Sequence, residues 1–157
     1  MPRPKVGTTA PEINLPASNG QTVSLKDFKG KKNVVLYFYP KDDTSGCTVE
    51  ACGFRDKIKD VESKDAVVLG VSPDGFESHQ KFIKKFSLPF IPLSDEEKKT
   101  CQDYGVWIEK SMYGRKYMGV DRVTFIIDKS GKIAKIFEKV KPAGHNDEVL
   151  EVLKSLV

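Results

Sequence analysis

The sequence lacks the features that mark membrane, secreted and metal-binding proteins. It has no apolar run approaching the roughly 18 residues of a membrane-spanning helix, and its start, MPRPKVGTTAPEI, lacks the apolar core of a secretion signal. Its three cysteines are too few for a disulfide scaffold, and its two histidines, His79 and His145, stand far apart. We therefore predict a cytoplasmic protein with no membrane contact, no metal and no cofactor.

Charge is balanced along the chain, which argues against nucleic acid as a partner. The 26 basic and 22 acidic residues are interspersed, and the net charge is only +4. A chain of 157 residues is long enough for one domain that buries roughly two thirds of its unfolded surface. We find no boundary in the sequence and predict a single domain over residues 1–157.

The first part of the chain predicts a β-hairpin and a buried strand. Residues 12–15 and 22–25 have extended character around a turn at 18–20, and Ser24-Leu25-Lys26-Asp27 has the spacing of a capping box for one helical turn. Val34–Tyr39 is an unbroken apolar run, which is typical of a strand buried on both faces of a parallel or mixed sheet.

The remaining segments predict helices that alternate with strands. The predicted helices are 48–64, 76–86, 94–105 and 145–157, with Ser94 as a cap and His79 packed into the core. The predicted strands are 66–72, 90–93 and a hairpin made by VTFIID and KIAKIFEKV. Residues 107–122 predict only a loop or a short hairpin around Gly114. The order indicates an α/β domain with a mixed sheet covered by helices on both faces.

Cys47 has the setting of a reactive thiol. The strand before it stops at Pro40, which cannot donate to a sheet ladder, and the turn KDDTSG leads into a helix. A helix N-terminus offers partial positive charge and free N–H groups, which favour the thiolate. Thr44 places a hydroxyl three residues before the sulfur, and Pro40 would fix the turn and shield it from water. The alternative is a small buried hydrophobic residue, as many cysteines are.

Cys52 lies five residues after Cys47, and two cysteines at this spacing in one α-helix are too far apart to form a disulfide. Five residues along one α-helix separate the Cα atoms by about 8.6 Å. A disulfide needs less than about 7 Å. A bond between the two therefore requires local unwinding, which Gly53 would ease because glycine weakens a helix by up to about 1 kcal/mol relative to alanine. The alternative for Cys52 is again a core residue.

The residues around Cys47 also carry a resemblance to a known family. PKDDTSGC fits the pattern PxxxTxxC with CxxxxC beside it, and YGVW and GVDRVTFIIDKSGKI extend the likeness. The chain resembles a peroxiredoxin of the bacterioferritin comigratory protein, or peroxiredoxin Q, group over nearly its whole length. The resemblance implies a thioredoxin-like fold with a central mixed β-sheet flanked by helices and an N-terminal β-hairpin.

The resemblance also implies an activity and its partners. Cys47 would reduce hydrogen peroxide or organic hydroperoxides and become a sulfenic acid. Cys52 would resolve this acid to an intramolecular disulfide, which thioredoxin or a similar dithiol protein would reduce. Such an enzyme serves antioxidant defence and redox homeostasis. Members of this group are often monomers, and we expect a monomer here.

Four further residues receive roles from the resemblance. Pro40 would shield the site, and Thr44 would hydrogen-bond the peroxide. Arg122, in GVDRVTF, would stabilise the thiolate and polarise the peroxide, since charge develops on the leaving oxygen. Glu50 would hold this arginine in place.

Four other positions bear on these assignments: two alternative arginines, a departure from the family pattern at residue 45, and the third cysteine. Arg55 and Arg115 are the less favoured replacements for Arg122. Ser45 stands where the group usually has proline, and its hydroxyl could cap the helix, so we expect activity with a looser turn. Cys101 lies inside a predicted helix, where we expect it to pack rather than to resolve.

Two other functional classes compete with the peroxidase. A protein disulfide oxidoreductase on the same fold would reduce insulin without consuming peroxide, but CxxxxC is not the spacing of such exchangers. A chaperone or binding module would keep its full activity in the variant Cys47→Ser.

Overall fold

The chain forms a five-stranded sheet with smaller hairpins and helices around it. The computed structural model describes residues 3–17 and 19–156. The strands are β1 Asn14–Pro16, β2 Thr22–Ser24, β3 Asn33–Phe38, β4 Ala66–Ser72, β5 Leu93–Ser94, β6 Trp107–Met112, β7 Arg115–Val120, β8 Val123–Ile127 and β9 Ile133–Phe137. The helices are α1 Ser45–Asp56, α2 Ile58–Ser63, α3 Phe76–Phe86, α4 Lys99–Asp103 and α5 His145–Ser155.

The main sheet has the order β5-β4-β3-β8-β9, with β3 at its centre. β3 runs parallel to β4 and antiparallel to β8, so the sheet is mixed, as predicted. Every residue of β3 is buried, because helices or loops cover both faces of the sheet. The strand therefore fixes the position of the loop and helix that follow it.

The β1–β2 hairpin and the single helical turn were both predicted from the sequence. β1 pairs with β2 antiparallel, and Leu25–Asp27 forms a 3-10 turn. The backbone N–H of Ser24 donates to Asp27 Oδ2 at 3.0 Å, which is half of a capping box. Ser18, in the predicted turn, lies outside the described residues, as does Val157 at the end of the last predicted helix.

The cysteine-bearing helix starts at Ser45, earlier than the predicted residue 48, and differs from the prediction in two further respects. The predicted helix 48–64 is broken at Lys57, whose backbone angles of −114° and 15° separate α1 from α2. Val49 belongs to the helical apolar spacing of this segment, but its side chain is 47% exposed. Ala51 and Phe54 carry the buried face instead, against the centre of the sheet.

The third predicted helix is shorter than expected and has a different cap. Ser94 belongs to β5, which includes only two residues, and α4 starts at Lys99. The carboxylate of Asp95 accepts the backbone N–H groups of Thr100 and Cys101, at 3.3 and 2.8 Å. Asp95 is therefore the residue that satisfies the free N–H groups of this helix.

Of the two predicted alternatives for this segment, a loop or a short hairpin around Gly114, residues 107–120 form the hairpin. β6 and β7 pair antiparallel over their full length. The turn between them places Tyr113 and Gly114 at φ angles of 51° and 77°, a left-handed pair that matches the twist of the strands. The hairpin of β8 and β9 was predicted and is confirmed, with a register shift at Ile126 and Ile127. Within residues 3–17 and 19–156, no helix is long and apolar enough to cross a bilayer.

Candidate active site

The site lies in and around the loop between the end of β3 and the start of α1. The backbone N–H of Tyr39 still donates to Val71 of β4 at 3.0 Å, and Pro40, which has no N–H, ends the pairing. A short loop then leads to Thr44, the residue that precedes α1. Cys47 is the third residue of α1, so its thiol lies beside the free N–H groups of the first turn. Its side chain is 1% exposed.

Arg122 joins the cysteine to an acid. Its Nη2 lies 3.2 Å from the sulfur of Cys47, and its Nη1 donates to Glu50 Oε1 at 2.7 Å. One guanidinium thus contacts both groups through different nitrogens, a geometry that lysine cannot reproduce. A cation fixed at this distance stabilises negative charge that develops beside the sulfur. Arg115 lies exposed on β7, and Arg55 binds Asp56 and Phe86, so neither takes the place predicted for Arg122.

Glu50 is a buried acid with an unusual proton affinity. Its side chain has no exposure, and burial raises its pKa from 4.5 to about 7, although Arg122 lowers it. Oε2 is one of the buried oxygens without a hydrogen-bond partner among the described residues. Burial lowers the pKa of the Arg122 guanidinium, but the charges of Glu50 and Cys47 outweigh this effect and raise it.

Thr44 and Pro40 occupy the loop in front of the helix. The hydroxyl of Thr44 donates to the carbonyl of Lys41 at 2.9 Å, so its lone pairs remain available as acceptors. Pro40 is half-buried. Ser45, predicted to be a cap, is the first residue of the helix, and Thr44 is the N-cap residue without a side-chain cap bond. The prediction that Ser45 caps α1 is therefore wrong.

Cys52 shares α1 with Cys47, and both thiols are free. The helix is continuous from Ser45 to Asp56, so the two Cα atoms are separated by about 8.6 Å. Cys47 is buried, and Cys52 is half-buried. The two thiols of the folded chain are therefore too far apart to form a disulfide without a change in the helix.

Cys101 is remote from this chemistry in both position and environment. It lies on α4, fully buried in the core, and its backbone N–H donates to Asp95. Burial raises the pKa of the Cys101 thiol well above its ordinary value, and Asp95 adds to the shift. A thiol that stays protonated is a poor nucleophile.

Two residues that were not singled out from the sequence, Gly46 and Lys110, lie near Arg122 or are influenced by its charge. A Cβ at Gly46 would lie 3.1 Å from Nη2 of Arg122, so glycine lets the guanidinium approach the start of α1. Burial lowers the pKa of Lys110 on β6, while Asp121 raises it, and the charges of Arg122 and Cys47 also act on it. Both arrangements depend on residues far apart in sequence, and only the glycine itself could have suggested the close approach.

A cluster of three possible metal ligands lies under the loop. Asp42, Asp74 and His79 place one such atom each within 4.8 Å of one another. These atoms already bind other protein groups: His79 Nδ1 lies 2.7 Å from Asp42 Oδ2, and Asp74 Oδ2 accepts the backbone N–H of Asp42 at 2.7 Å. The cluster is satisfied by the protein itself.

Comparisons with known proteins identify the family. The AhpC/TSA family model matches residues 6–136. The putative peroxiredoxin bcp of Coxiella burnetii is 50% identical over 146 residues, which are 93% of this chain and 96% of the relative. Peroxiredoxin Bcp of Bacillus subtilis is 48% identical over 152 residues, which are 97% of this chain and 96% of the relative.

Solved structures agree with the sequence relatives. Peroxiredoxin Q of Xylella fastidiosa superposes with a TM-score of 0.92 at 34% identity, over 99% of this chain and 98% of that one. The bacterioferritin comigratory protein of Xanthomonas campestris, studied for alkyl peroxide reduction with a trapped intermediate, gives a TM-score of 0.86 at 37% identity, over 91% of this chain and 90% of that one. The chain therefore belongs to the AhpC/TSA family and is a peroxiredoxin of the Bcp/PrxQ group, a thiol-dependent peroxidase with a thioredoxin-like fold.

Proposed function

We propose that Cys47 is the peroxidatic cysteine and that the chain reduces hydrogen peroxide and organic hydroperoxides. The observation that carries this proposal is the contact of 3.2 Å between Arg122 Nη2 and the sulfur of Cys47 at the start of α1. The alkyl peroxide reduction of the Xanthomonas relative supports the wider substrate class.

The first chemical step transfers one oxygen to the sulfur. The thiolate of Cys47 attacks the terminal oxygen of the peroxide, the O–O bond breaks, and the sulfur becomes a sulfenic acid. The leaving oxygen departs with the electron pair and takes a proton to become water or an alcohol. Arg122 stabilises the negative charge that develops on this oxygen, because its guanidinium is already fixed beside the sulfur.

The neighbouring residues orient these groups. Glu50 holds Arg122 through the bond of 2.7 Å, so the guanidinium does not have to find its position during the reaction. Thr44 accepts the hydrogen of the peroxide with the lone pairs that its bond to Lys41 leaves free. Pro40 covers the site from the end of β3 and limits the access of water.

The second step forms the disulfide between Cys47 and Cys52. The thiolate of Cys52 attacks the sulfenic sulfur, the S–O bond breaks, and the oxygen leaves as water once it is protonated. Since both residues lie on one helix, this attack requires the first turns of α1 to unwind. The raised pKa of Cys101 and its burial support Cys52 as the resolving residue.

A dithiol protein such as thioredoxin would complete the cycle. It reduces the disulfide by thiol–disulfide exchange and returns both cysteines as thiols. We further propose that residues 1–157 form one domain that acts as a monomer in the cytoplasm, in antioxidant defence. Light scattering on the reduced and oxidised protein measures the oligomeric state, and a dimer in both forms would contradict that part.

Intact mass after stoichiometric hydrogen peroxide tests the two cysteine roles. We expect the wild type to lose both thiol hydrogens and to form a Cys47–Cys52 disulfide. The variant Cys52→Ser should gain oxygen as a sulfenic or overoxidised adduct, and Cys47→Ser should change little. The matched control is Cys101→Ser, which should behave as the wild type.

Other outcomes, in this experiment or in a separate insulin-reduction assay, would contradict these roles. A disulfide to Cys101 would remove Cys52 as the resolving residue. Insulin reduction with strong turnover and no peroxide consumption would favour a disulfide oxidoreductase instead.

A further inference from the structure

Helix α3 contacts the chain in front of the cysteine helix. The loop residue Asp42 has its carboxylate 2% exposed, and α3 supplies two of its partners. Ser78 donates to Oδ2 at 2.8 Å, and His79 Nδ1 lies 2.7 Å from the same oxygen. The hydroxyl of Tyr39 donates to Oδ1 at 2.6 Å. Both oxygens of Asp42 are therefore held by protein groups.

The pairing of His79 with Asp42 is fixed on both sides of the imidazole. Nε2 faces the carbonyl of Leu93 at 3.2 Å, and a carbonyl can only accept, so Nε2 carries a proton. Nδ1 and Asp42 Oδ2, 2.7 Å apart, form the contact on the other side of the ring. The side chain of His79 has no exposure. Removal of either His79 or Asp42 would leave the other buried without this hydrogen-bond partner.

Further bonds hold the same loop. The backbone N–H of Asp42 donates to Asp74, whose carboxylate also accepts the hydroxyl of Ser72 at 2.7 Å. Lys85, in the last turn of α3, pairs with Asp43 at 2.8 Å, but both side chains are exposed. The surface pair adds little by comparison with the buried one.

Helix α3 also contacts the other end of α1. The Nη1 of Arg55 donates to the carbonyl of Phe86, the last residue of α3, at 2.8 Å. Phe54, beside it, is 1% exposed and packs in the core. The segment from Ser45 to Gly53 thus lies between two anchored points. Cys47 and Glu50 of this segment accept hydrogen bonds from Arg122.

We propose that α3 is a clamp on the reacting helix, and that Asp42 and His79 are positioning residues which confine its unwinding to residues 45–53. This inference rests on the proposed disulfide between Cys47 and Cys52. A disulfide needs their Cα atoms to approach from about 8.6 Å to less than about 7 Å, which a rearrangement between fixed ends supplies. The fixed loop then returns Thr44 and the helix start to the same place after each cycle.

Amide hydrogen exchange on the full chain tests the clamp. In the wild type, oxidation should raise the exchange of residues 45–53 and leave the loop 41–44 and α3 unchanged. In the reduced variant His79→Leu, amide protection of the loop and of the first turn of α1 should fall by about 10- to 100-fold. This factor corresponds to the loss of one hydrogen bond to a charged group. The peroxide reaction of this variant should slow, while the step that closes the disulfide should not.

Matched variants separate positioning from a general loss of stability. His79→Asn keeps an N–H that can reach Asp42, so it should restore part of the protection and of the peroxide rate. Lys84→Ala changes an exposed position on the same helix and should behave as the wild type. Should His79→Leu fail to fold, Asp42→Asn keeps the shape of the side chain and tests the same pair.

The outcomes distinguish the clamp from the proposed function. Exchange that spreads through residues 54–63 on oxidation, or His79→Leu and Asp42→Asn that both exchange as the wild type, would overturn the clamp. If no Cys47–Cys52 disulfide forms, the proposed resolution step fails. The reduced variants would still test whether His79 holds the loop.

Discussion

Replacement of Glu50 by glutamine should remove a pH dependence from the stability of the reduced protein. Burial raises the pKa of Glu50 from 4.5 to about 7. Between these values the folded chain keeps a proton that the unfolded chain has released. The free energy of unfolding of the wild type therefore falls as the pH rises through this range. Glutamine does not titrate, yet its oxygen can still accept from Arg122.

The size of the effect follows from the shift in pKa. A shift of about 2.5 units corresponds to about 3 kcal/mol in the free energy of unfolding. Between about pH 5 and about pH 8.5, proton linkage should lower the free energy of unfolding of the wild type by about 2.5 kcal/mol. The free energy of unfolding of Glu50→Gln should therefore rise by that amount relative to the wild type over the same interval. For a chain of 157 residues, the difference in Tm should change by about 5 to 10 °C.

Thermal unfolding of the reduced proteins, followed by circular dichroism at both pH values, measures this change. The matched control is Glu62→Gln, an exposed glutamate on α2 that should show no such trend. Other titrating groups are common to the wild type and the variants, so they cancel in the comparison. A Tm difference between Glu50→Gln and the wild type that stays constant within about 2 °C at the two pH values would refute the reasoning.

Three further substitutions test the site and its support. Arg122→Met should lower the rate constant of the reaction with hydrogen peroxide about 10²- to 10³-fold in stopped-flow measurements, whereas the exposed Arg115→Met should not change it. Phe54→Ala should lower the free energy of unfolding by about 3 to 5 kcal/mol in urea titrations, because the ring is 1% exposed, and the exposed Val49→Ala should cost less than about 0.5 kcal/mol. The Cβ of Gly53→Ala would meet Asn146 Oδ1 at 2.9 Å, so that side chain must shift. The change should then stabilise α1 by up to about 1 kcal/mol and slow disulfide closure about fivefold. An unchanged rate in rapid-quench mass spectrometry would show that this position does not limit unwinding.

The central sheet could be predicted from local patterns, but the ends of several elements could not. Val34–Tyr39 is apolar throughout because both faces of β3 are covered, and this signal depends only on adjacent residues. The cap of α4 was predicted at Ser94, but the carboxylate of Asp95 fills this role. Serine and aspartate are both good caps, so the choice depends on where β5 ends, which is a tertiary property.

Contacts across the fold were even less accessible from the sequence. The setting of Cys47 at a helix start followed from local patterns, and Arg122 and Glu50 were named only through the family resemblance. The pairing of Asp42 with His79, 37 residues apart, left no sign in either segment. A helical apolar spacing predicted that His79 packs in the core, and the structure adds the polar partners that make its burial possible.

The burial of Glu50 also links the redox equilibrium of the cysteines to protons other than their own. Unwinding of α1, as proposed, brings this carboxyl into water, where it releases a proton that the reduced form holds up to about pH 7. Reduction would then take up as much as one additional proton for each pair of electrons. The midpoint potential would fall more steeply with pH, by about 30 mV per unit between about pH 5 and pH 7, than the thiols alone require.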